Sequence, residues 1–145
     1  MDMLVRERSE KDNCIGRNAF DGEKECFFQP FYSPEKQCIW GAEALFRLKD
    51  EHGSYYNMDD LVARAEAEGW VSKIDCWVFR ETCRRIPTLR DYGLKRVNIN
   101  LSPAACQNSC IVENMQKIMG TYGISRSEIC MVISVLCLVL VGVVL

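Results

Sequence analysis

The sequence has few of the residues that build common metal and nucleic-acid sites. It contains one histidine, which excludes a site made of several histidines within one chain. None of its nine cysteines stands in a C-x-x-C pair, and this argues against a zinc site. Eighteen basic residues against twenty acidic ones leave a net charge of −2, so the chain lacks the field that would attract a nucleic acid polymer.

Nine cysteines are nevertheless a high number for a chain of 145 residues. The number is odd, and the stretch from Met1 to Cys26 is charged, without the apolar centre of a cleavable signal. We therefore expect reduced thiols in a cytoplasmic protein, most of them serving as small core residues.

The length is that of one ordinary domain, and the composition, 48% apolar and 26% charged, is average for a globular protein. Residues 1–24 are polar and without a period, which predicts a flexible arm or linker. We place the folded domain at residues 25–134 and an apolar tail at residues 135–145.

Apolar periodicity predicts the order β-β-α-α-β-α-β, an α/β arrangement with a hairpin at its start. The runs at residues 26–32 and 38–46 flank a turn and are expected to pair as an antiparallel hairpin. The later elements are predicted as a short helix capped by Asn57 and ended by Gly69, a helix over 72–89 and a strand over 96–101. Ser102 then offers a helix cap with Pro103 at the first helical position, and the helix that follows is clearest over 111–122 and ends at Gly123. A strand over 130–134 completes the order.

Three polar residues stand at predicted strand ends, where parallel α/β folds bind ligands. They are Glu43, Arg47 and Asn100. A carboxylate and an amide oxygen suit magnesium or manganese, and an arginine beside them suits a phosphate. The residues therefore suggest metal-assisted chemistry on a phosphate ester, while a buried ion pair and a capping asparagine remain an alternative.

Several blocks of the sequence resemble the EAL domain, the cyclic-di-GMP phosphodiesterase family. Glu43-Ala44-Leu45 is the motif that names the family, and it stands in a longer match of five blocks with similar spacing. The blocks are Phe28-Gln29-Pro30, Gly41-Ala42-Glu43-Ala44-Leu45-Phe46-Arg47, Ala65-Glu66-Ala67-Glu68-Gly69, Asp75-Cys76-Trp77-Val78 and Val97-Asn98-Ile99-Asn100-Leu101-Ser102-Pro103.

The resemblance implies a (β/α)8 TIM-type barrel whose first strand runs antiparallel. It implies hydrolysis of one phosphodiester of cyclic-di-GMP to the linear dinucleotide, with Mg²⁺ or Mn²⁺ activating water and polarising the phosphate. By position, Glu43 and Asn100 match metal ligands of the family. Arg47 matches an arginine that contacts the ligand phosphate, and Gln29 matches a glutamine beside the substrate.

The resemblance ends at the fourth strand. The family carries a Leu-Glu-x-Thr-Glu pattern there, whose first glutamate is a metal ligand, and Val132 stands at that position in the run from Met131 to Val135. A barrel of this type needs about 250 residues, so we expect a partial barrel, truncated after about the fourth strand. We also expect the chain alone not to hydrolyse the nucleotide.

The uncharged stretch at residues 129–145 has three interpretations. It is a short tail anchor that attaches the protein to a membrane, a buried strand followed by a second apolar segment, or out-of-frame sequence after a frameshift. The sequence leaves all three open.

Two functions from different classes remain. The first is a truncated and inactive EAL-type phosphodiesterase domain. The second is a non-catalytic interaction or regulatory protein of cyclic-di-GMP signalling, which pairs with itself or with another EAL protein because an open half barrel exposes strand edges.

Overall fold

The computed structural model describes residues 19–133, and these form one four-stranded sheet with helices packed against it. The strands stand in chain order in the sheet: β1 (Lys24–Ser33) lies next to β2 (Cys38–Leu48), followed by β3 (Arg96–Leu101) and β4 (Ile129–Ile133). Strand β1 is antiparallel to β2, whereas β2, β3 and β4 are parallel to one another. The α/β class and the antiparallel hairpin are thereby confirmed. The elements are β1 Lys24–Ser33, β2 Cys38–Leu48, α1 Met58–Ala67, α2 Val71–Asp91, β3 Arg96–Leu101, α3 Pro103–Cys106, α4 Ile111–Tyr122 and β4 Ile129–Ile133.

The ends of the helices follow from local chemistry. The side chain of Asn57 accepts hydrogen bonds from the backbone N–H groups of Asp59 and Asp60, which caps the start of α1. Gly123 ends α4 in the left-handed conformation, at φ 65°, which a glycine adopts without a steric penalty. Both boundaries agree with the predictions from the sequence.

Burial alternates along the strands and gives the sheet two different faces. One face carries the apolar core, in which Phe46, Val97 and Ile99 pack against α2 residues such as Val78 and Phe79. On β2 and β3 the intervening side chains point to the other face, which no described helix covers. We call this second face the open face.

Several elements differ from the predictions in extent. Strand β2 runs to Leu48, two residues beyond the predicted end, because Phe46 and Leu48 continue the buried alternation. Helix α2 continues past Pro87 to Asp91. The predicted cap at Ser102 is confirmed, because the Ser102 hydroxyl accepts from the N–H of Ala105, but the helix that it starts is the short α3, which is separate from α4.

The expectation that most cysteines are core residues is wrong for the described part of the chain. Cys83 is buried, and burial raises the pKa of its thiol to about 11. Cys26 and Cys130 are half-buried, while Cys38, Cys76, Cys106 and Cys110 are exposed. The number of cysteines does not show which of them point into the core, and here the packing of helices and strands decides.

The described structure includes the end of the predicted arm and the predicted fourth strand. Phe20 packs against Trp70, with ring centroids 6.1 Å apart, and Lys24 already begins β1. At the other end, Ile129–Ile133 form β4. Residues 1–18 and 134–145 lie outside the described residues, and with them most of the predicted arm and the whole tail at 135–145.

Candidate functional site

The open face brings together polar residues from three strands. In the β1–β2 ladder Gln29 lies opposite Glu43, and in the β2–β3 ladder Glu43 lies beside Asn98. Two residues further along β3, on the same face, stands Asn100. The pairing register therefore places Gln29, Glu43 and Asn100 next to one another, although 71 positions separate the first from the last.

Glu43 and Asn100 contact each other directly. The Asn100 amide nitrogen Nδ2 donates to Glu43 Oε1 at 2.7 Å, across a sequence separation of 57 residues. Asn100 is exposed and Glu43 is half-buried, so both side chains are accessible from the open face. The alternative interpretation, a buried ion pair, does not describe this contact, because Asn100 is neutral and neither Glu43 nor Asn100 is buried.

Arg47 lies on the same face, further along β2. Its guanidinium Nη1 donates to the carbonyl oxygen of Phe46 at 2.7 Å, and its Cζ lies 5.8 Å from the centre of the Phe27 ring. Within residues 19–133 Arg47 makes no salt bridge. Its remaining N–H groups are therefore available to an anion.

Val132 lies beside Asn100 in the β3–β4 ladder. The residue is 39% exposed, and its side chain shares the face of Asn100 because directly paired residues of neighbouring strands point to the same side. A third side chain thus borders the Glu43–Asn100 pair, and it has no atom that can bind a metal.

A buried carboxylate that the sequence did not single out holds the end of β3. Asp75 of α2 accepts a hydrogen bond from the Ser102 hydroxyl at 2.5 Å, and the backbone N–H of Ser102 approaches the same carboxylate at 3.4 Å. Burial raises the pKa of Asp75, against the lowering effect of the Ser102 hydrogen bonds. Ser102 follows Asn100 by two residues, so this contact fixes the strand end that carries Asn100. Only the match of residues 75–78 to a family block pointed to Asp75.

Glu43 and Asn100 supply some, but not all, of the ligands that a divalent cation needs. One carboxylate and one amide oxygen are ligands that Mg²⁺ and Mn²⁺ accept. No group of three or more His, Cys, Asp or Glu side chains within residues 19–133 could hold a metal. Glu43 and Asn100 therefore suit an ion that takes most of its ligands from water and from a substrate phosphate, as Mg²⁺ commonly does.

The part of the chain that the structure describes contains no helix long and apolar enough to cross a membrane. The one histidine, His52, is exposed in the loop after β2.

A sheet of this topology, with polar residues on the face away from the helices, is typical of an α/β barrel. A family model described as EAL domain matches residues 16–138. The chain belongs to the EAL domain family.

Solved structures show the same fold. The chain superposes on the EAL enzyme Bd1971 in its cGMP-bound form with a TM-score of 0.77 at 19% identity, covering 97% of this chain and 40% of that one. The phosphodiesterase PaMucR in complex with c-di-GMP gives 0.73 at 20% identity, covering 83% and 50%. The EAL domain of Xanthomonas citri FimX in complex with c-diGMP gives 0.71 at 20% identity, covering 96% and 55%. The described sheet is therefore a partial barrel.

Curated relatives are much longer than this chain. The biofilm architecture maintenance protein MbaA of Vibrio cholerae is 24% identical over 131 residues, which are 89% of this chain and 17% of MbaA. The cyclic di-GMP phosphodiesterase NbdA of Pseudomonas aeruginosa is 27% identical over 85 residues, 59% of this chain and 11% of NbdA. The chain thus spans less than a fifth of either relative.

Proposed function

We propose that this chain is the N-terminal part of an EAL-type cyclic-di-GMP phosphodiesterase domain and that it does not hydrolyse the nucleotide by itself. The contact between Asn100 and Glu43, at 2.7 Å on the open face, carries the proposal. It supplies two of the oxygen donors that a metal-dependent phosphodiesterase needs. NbdA and PaMucR, which are similar in sequence and in fold respectively, are described as phosphodiesterases.

In this proposal each residue has one role. Glu43 and Asn100 would hold a Mg²⁺ or Mn²⁺ ion, which would supply charge to polarise the phosphate. Arg47 donates two hydrogen bonds to a phosphate of cyclic-di-GMP, and Gln29, which lies opposite Glu43, contacts the ligand beside it. Asp75 acts through Ser102 and keeps Asn100 in register with Glu43.

The absence of hydrolysis follows from Val132. The residue occupies the place on β4 next to Asn100 where the family pattern has a glutamate, and its two methyl groups cannot bind a cation. With one carboxylate in the described site, the ion is held weakly and no described group is placed to take a proton from water. Ligand binding through Arg47 does not need that glutamate and is retained.

We expect the 145-residue chain to bind cyclic-di-GMP without releasing linear dinucleotide in the presence of Mn²⁺. Arg47→Gln should weaken binding by about 10-fold or more, since hydrogen bonds to charged groups contribute about 1.5–3 kcal/mol. Titration calorimetry measures the affinity, and chromatography of the nucleotides measures turnover.

Arg80→Gln is the matched control, because Arg80 is an exposed arginine of α2, and its affinity should equal that of the unchanged chain. Failure of the unchanged chain to bind cyclic-di-GMP would contradict the proposed ligand. Turnover that Glu43→Gln abolishes would contradict the proposed lack of catalysis.

A second candidate, self-association, is favoured by the difference between the two edges of the sheet. The outer strand β1 carries Pro30, which has no N–H to donate, and an irregularity in pairing between Phe31 and Tyr32. Both features protect an edge against further pairing. Strand β4, at the other edge of the described sheet, consists of the five residues Ile-Cys-Met-Val-Ile and has neither protection.

If β4 pairs with a second copy or with another EAL protein, the chain is a regulatory partner and need not be an enzyme. We expect the purified chain to show a dimer whose fraction rises with concentration in size-exclusion chromatography coupled to light scattering. A monomer over the whole concentration range would exclude pairing between copies. The sequence also suggested membrane attachment through residues 129–145. Because Ile129–Ile133 form a strand of the sheet, we propose this attachment only for the residues after Ile133.

A further inference from the structure

Two exposed aromatic rings contact each other on the open-face side of the hairpin, and one of them, Phe27, lies beside Arg47. Phe27 of β1 is 44% exposed and Tyr55, in the loop after β2, is 47% exposed. Their ring centroids lie 5.9 Å apart at an interplanar angle of 78°, an edge-to-face contact. Two large rings that remain this exposed leave aromatic surface uncovered, and on Phe27 it lies beside the Arg47 guanidinium.

The Tyr55 ring is held in place by hydrogen bonds and a cation. Its hydroxyl donates to Glu25 Oε2 at 2.5 Å, while Lys49 Nζ donates to Glu25 Oε1 at 2.7 Å. The hydrogen bond to Glu25 raises the pKa of the Tyr55 hydroxyl, so the phenol stays protonated and continues to donate. Lys49 Nζ also lies 5.5 Å from the centre of the Tyr55 ring. A ring fixed in this way loses little conformational entropy when a ligand covers it.

The position of Phe27 on the strand relates it to the proposed phosphate and metal residues. Phe27 and Gln29 are two residues apart, so they share the open face at a spacing of roughly 7 Å. Phe27 lies opposite Leu45, and thus between the pair Gln29–Glu43 and the pair Glu25–Arg47. The Arg47 guanidinium carbon is 5.8 Å from the Phe27 ring centre.

This spacing matches the build of a nucleotide, in which a ribose separates the base from the phosphate. Phe27 lies between the strand pairs that carry Glu43 and Arg47, so the base of a nucleotide whose phosphate is held by Arg47 is within reach of the Phe27 ring. An aromatic ring with an arginine beside it is the combination by which proteins stack bases, and each stacked base contributes about 1–3 kcal/mol.

We propose that Phe27 and Tyr55 form a stacking site for one purine base of the nucleotide ligand, with Phe27 under the base and Tyr55 at its edge. The inference rests on the proposed function, because it takes the phosphate position from Arg47. In this proposal Phe27 and Tyr55 bind the base, and Arg47 binds the phosphate.

The test measures binding of cyclic-di-GMP to the whole chain by titration calorimetry. Phe27→Leu and Tyr55→Leu keep apolar volume but remove the aromatic face, and each should weaken binding by about 10-fold. Tyr55→Phe keeps the ring and should restore most of the affinity that Tyr55→Leu loses. Tyr32→Leu is the control, since Tyr32 is a 59% exposed aromatic residue at the other end of β1, and its affinity should stay within about twofold.

A second pair of probes separates stacking from a merely structural role. GMP and ribose 5-phosphate carry the same phosphate with and without the base, and the unchanged chain should prefer GMP. Phe27→Leu and Tyr55→Leu should lose that preference and keep the affinity for ribose 5-phosphate.

Two results would overturn the inference in distinguishable ways. If the unchanged chain binds no cyclic-di-GMP, the proposed function fails and the stacking site fails with it. If binding depends on Arg47 but both leucine variants bind as tightly as the unchanged chain, only the stacking site is wrong. In that case a lower melting temperature of Phe27→Leu in circular dichroism would show that Phe27 serves packing.

Discussion

Val132→Glu is expected to raise the affinity of the chain for Mn²⁺ by about tenfold or more. The substitution adds a second carboxylate at the one place on β4 that lies directly beside Asn100. Residues that merely orient metal ligands already contribute about 10- to 100-fold to metal affinity, so a ligand itself should contribute no less.

The structure allows this substitution without a large cost in stability. Val132 is 39% exposed on the open face, so a glutamate there keeps contact with water and is not forced into the core. With Glu43 and Asn100 it completes a set of three oxygen-bearing side chains from three neighbouring strands. Calorimetric titration with Mn²⁺ measures the affinity of the unchanged chain and of the Val132→Glu variant for the ion.

Ile133→Glu is the matched control. It adds the same charge one residue further along, at a side chain that is 40% exposed. Ile133 pairs with the buried Leu101 and points to the helix side of the sheet, away from Glu43. An equal gain from both substitutions would show that net charge alone attracts the ion. Glu43→Gln in the Val132→Glu background should remove the gain, and a gain that survives would place the ion elsewhere.

Gly41→Ala is expected to destabilise the chain by about 3 kcal/mol, a large part of the stability of a domain of this size. Gly41 pairs with Arg96 at the start of the β2–β3 ladder, two residues before Glu43. A Cβ at position 41 would overlap the backbone oxygen of Arg96 and the ring of Phe31. The ring can turn away, whereas the backbone oxygen can move only if β2 and β3 separate.

Separation of the two strands at Gly41 should also disturb the ligand site. The pairs that follow in the ladder are Ala42↔Val97 and Glu43↔Asn98, and they set the distance between Glu43 and Asn100. The variant should therefore unfold at lower urea concentration and bind cyclic-di-GMP more weakly than the unchanged chain.

Gly120→Ala is the control for the glycine substitution. Gly120 lies within α4, and a Cβ there meets no atom within 4 Å. Because alanine favours a helix over glycine by about 1 kcal/mol, this variant should be as stable as the unchanged chain or more so. Urea unfolding of the two variants side by side measures the difference. A Gly41→Ala variant within about 0.5 kcal/mol of the unchanged chain would show that β2 and β3 are not tightly paired there.

Local features of the fold were predictable from the sequence because they depend on neighbours along the chain. Asn57 caps a helix through N–H groups two and three residues on, and Gly123 ends one through its own backbone dihedral angle. The alternation from Arg96 to Leu101 gave β3 with the bounds that the structure has. The match of the family blocks, which is also a property of the sequence alone, gave the EAL domain family.

Contacts between distant residues required the tertiary structure. The bond from Asn100 to Glu43 spans 57 residues and the bond from Ser102 to Asp75 spans 27, and both depend on the strand register and on the docking of α2 against β3. The exposure of four described cysteines and the contact between Phe27 and Tyr55 depend on them as well. The sequence by itself therefore determined the elements, the family and the residue types at each candidate position. Only the hydrogen-bonded register of β1 to β4 decided which of them face one another, because a shift of one residue would turn every side chain to the opposite face.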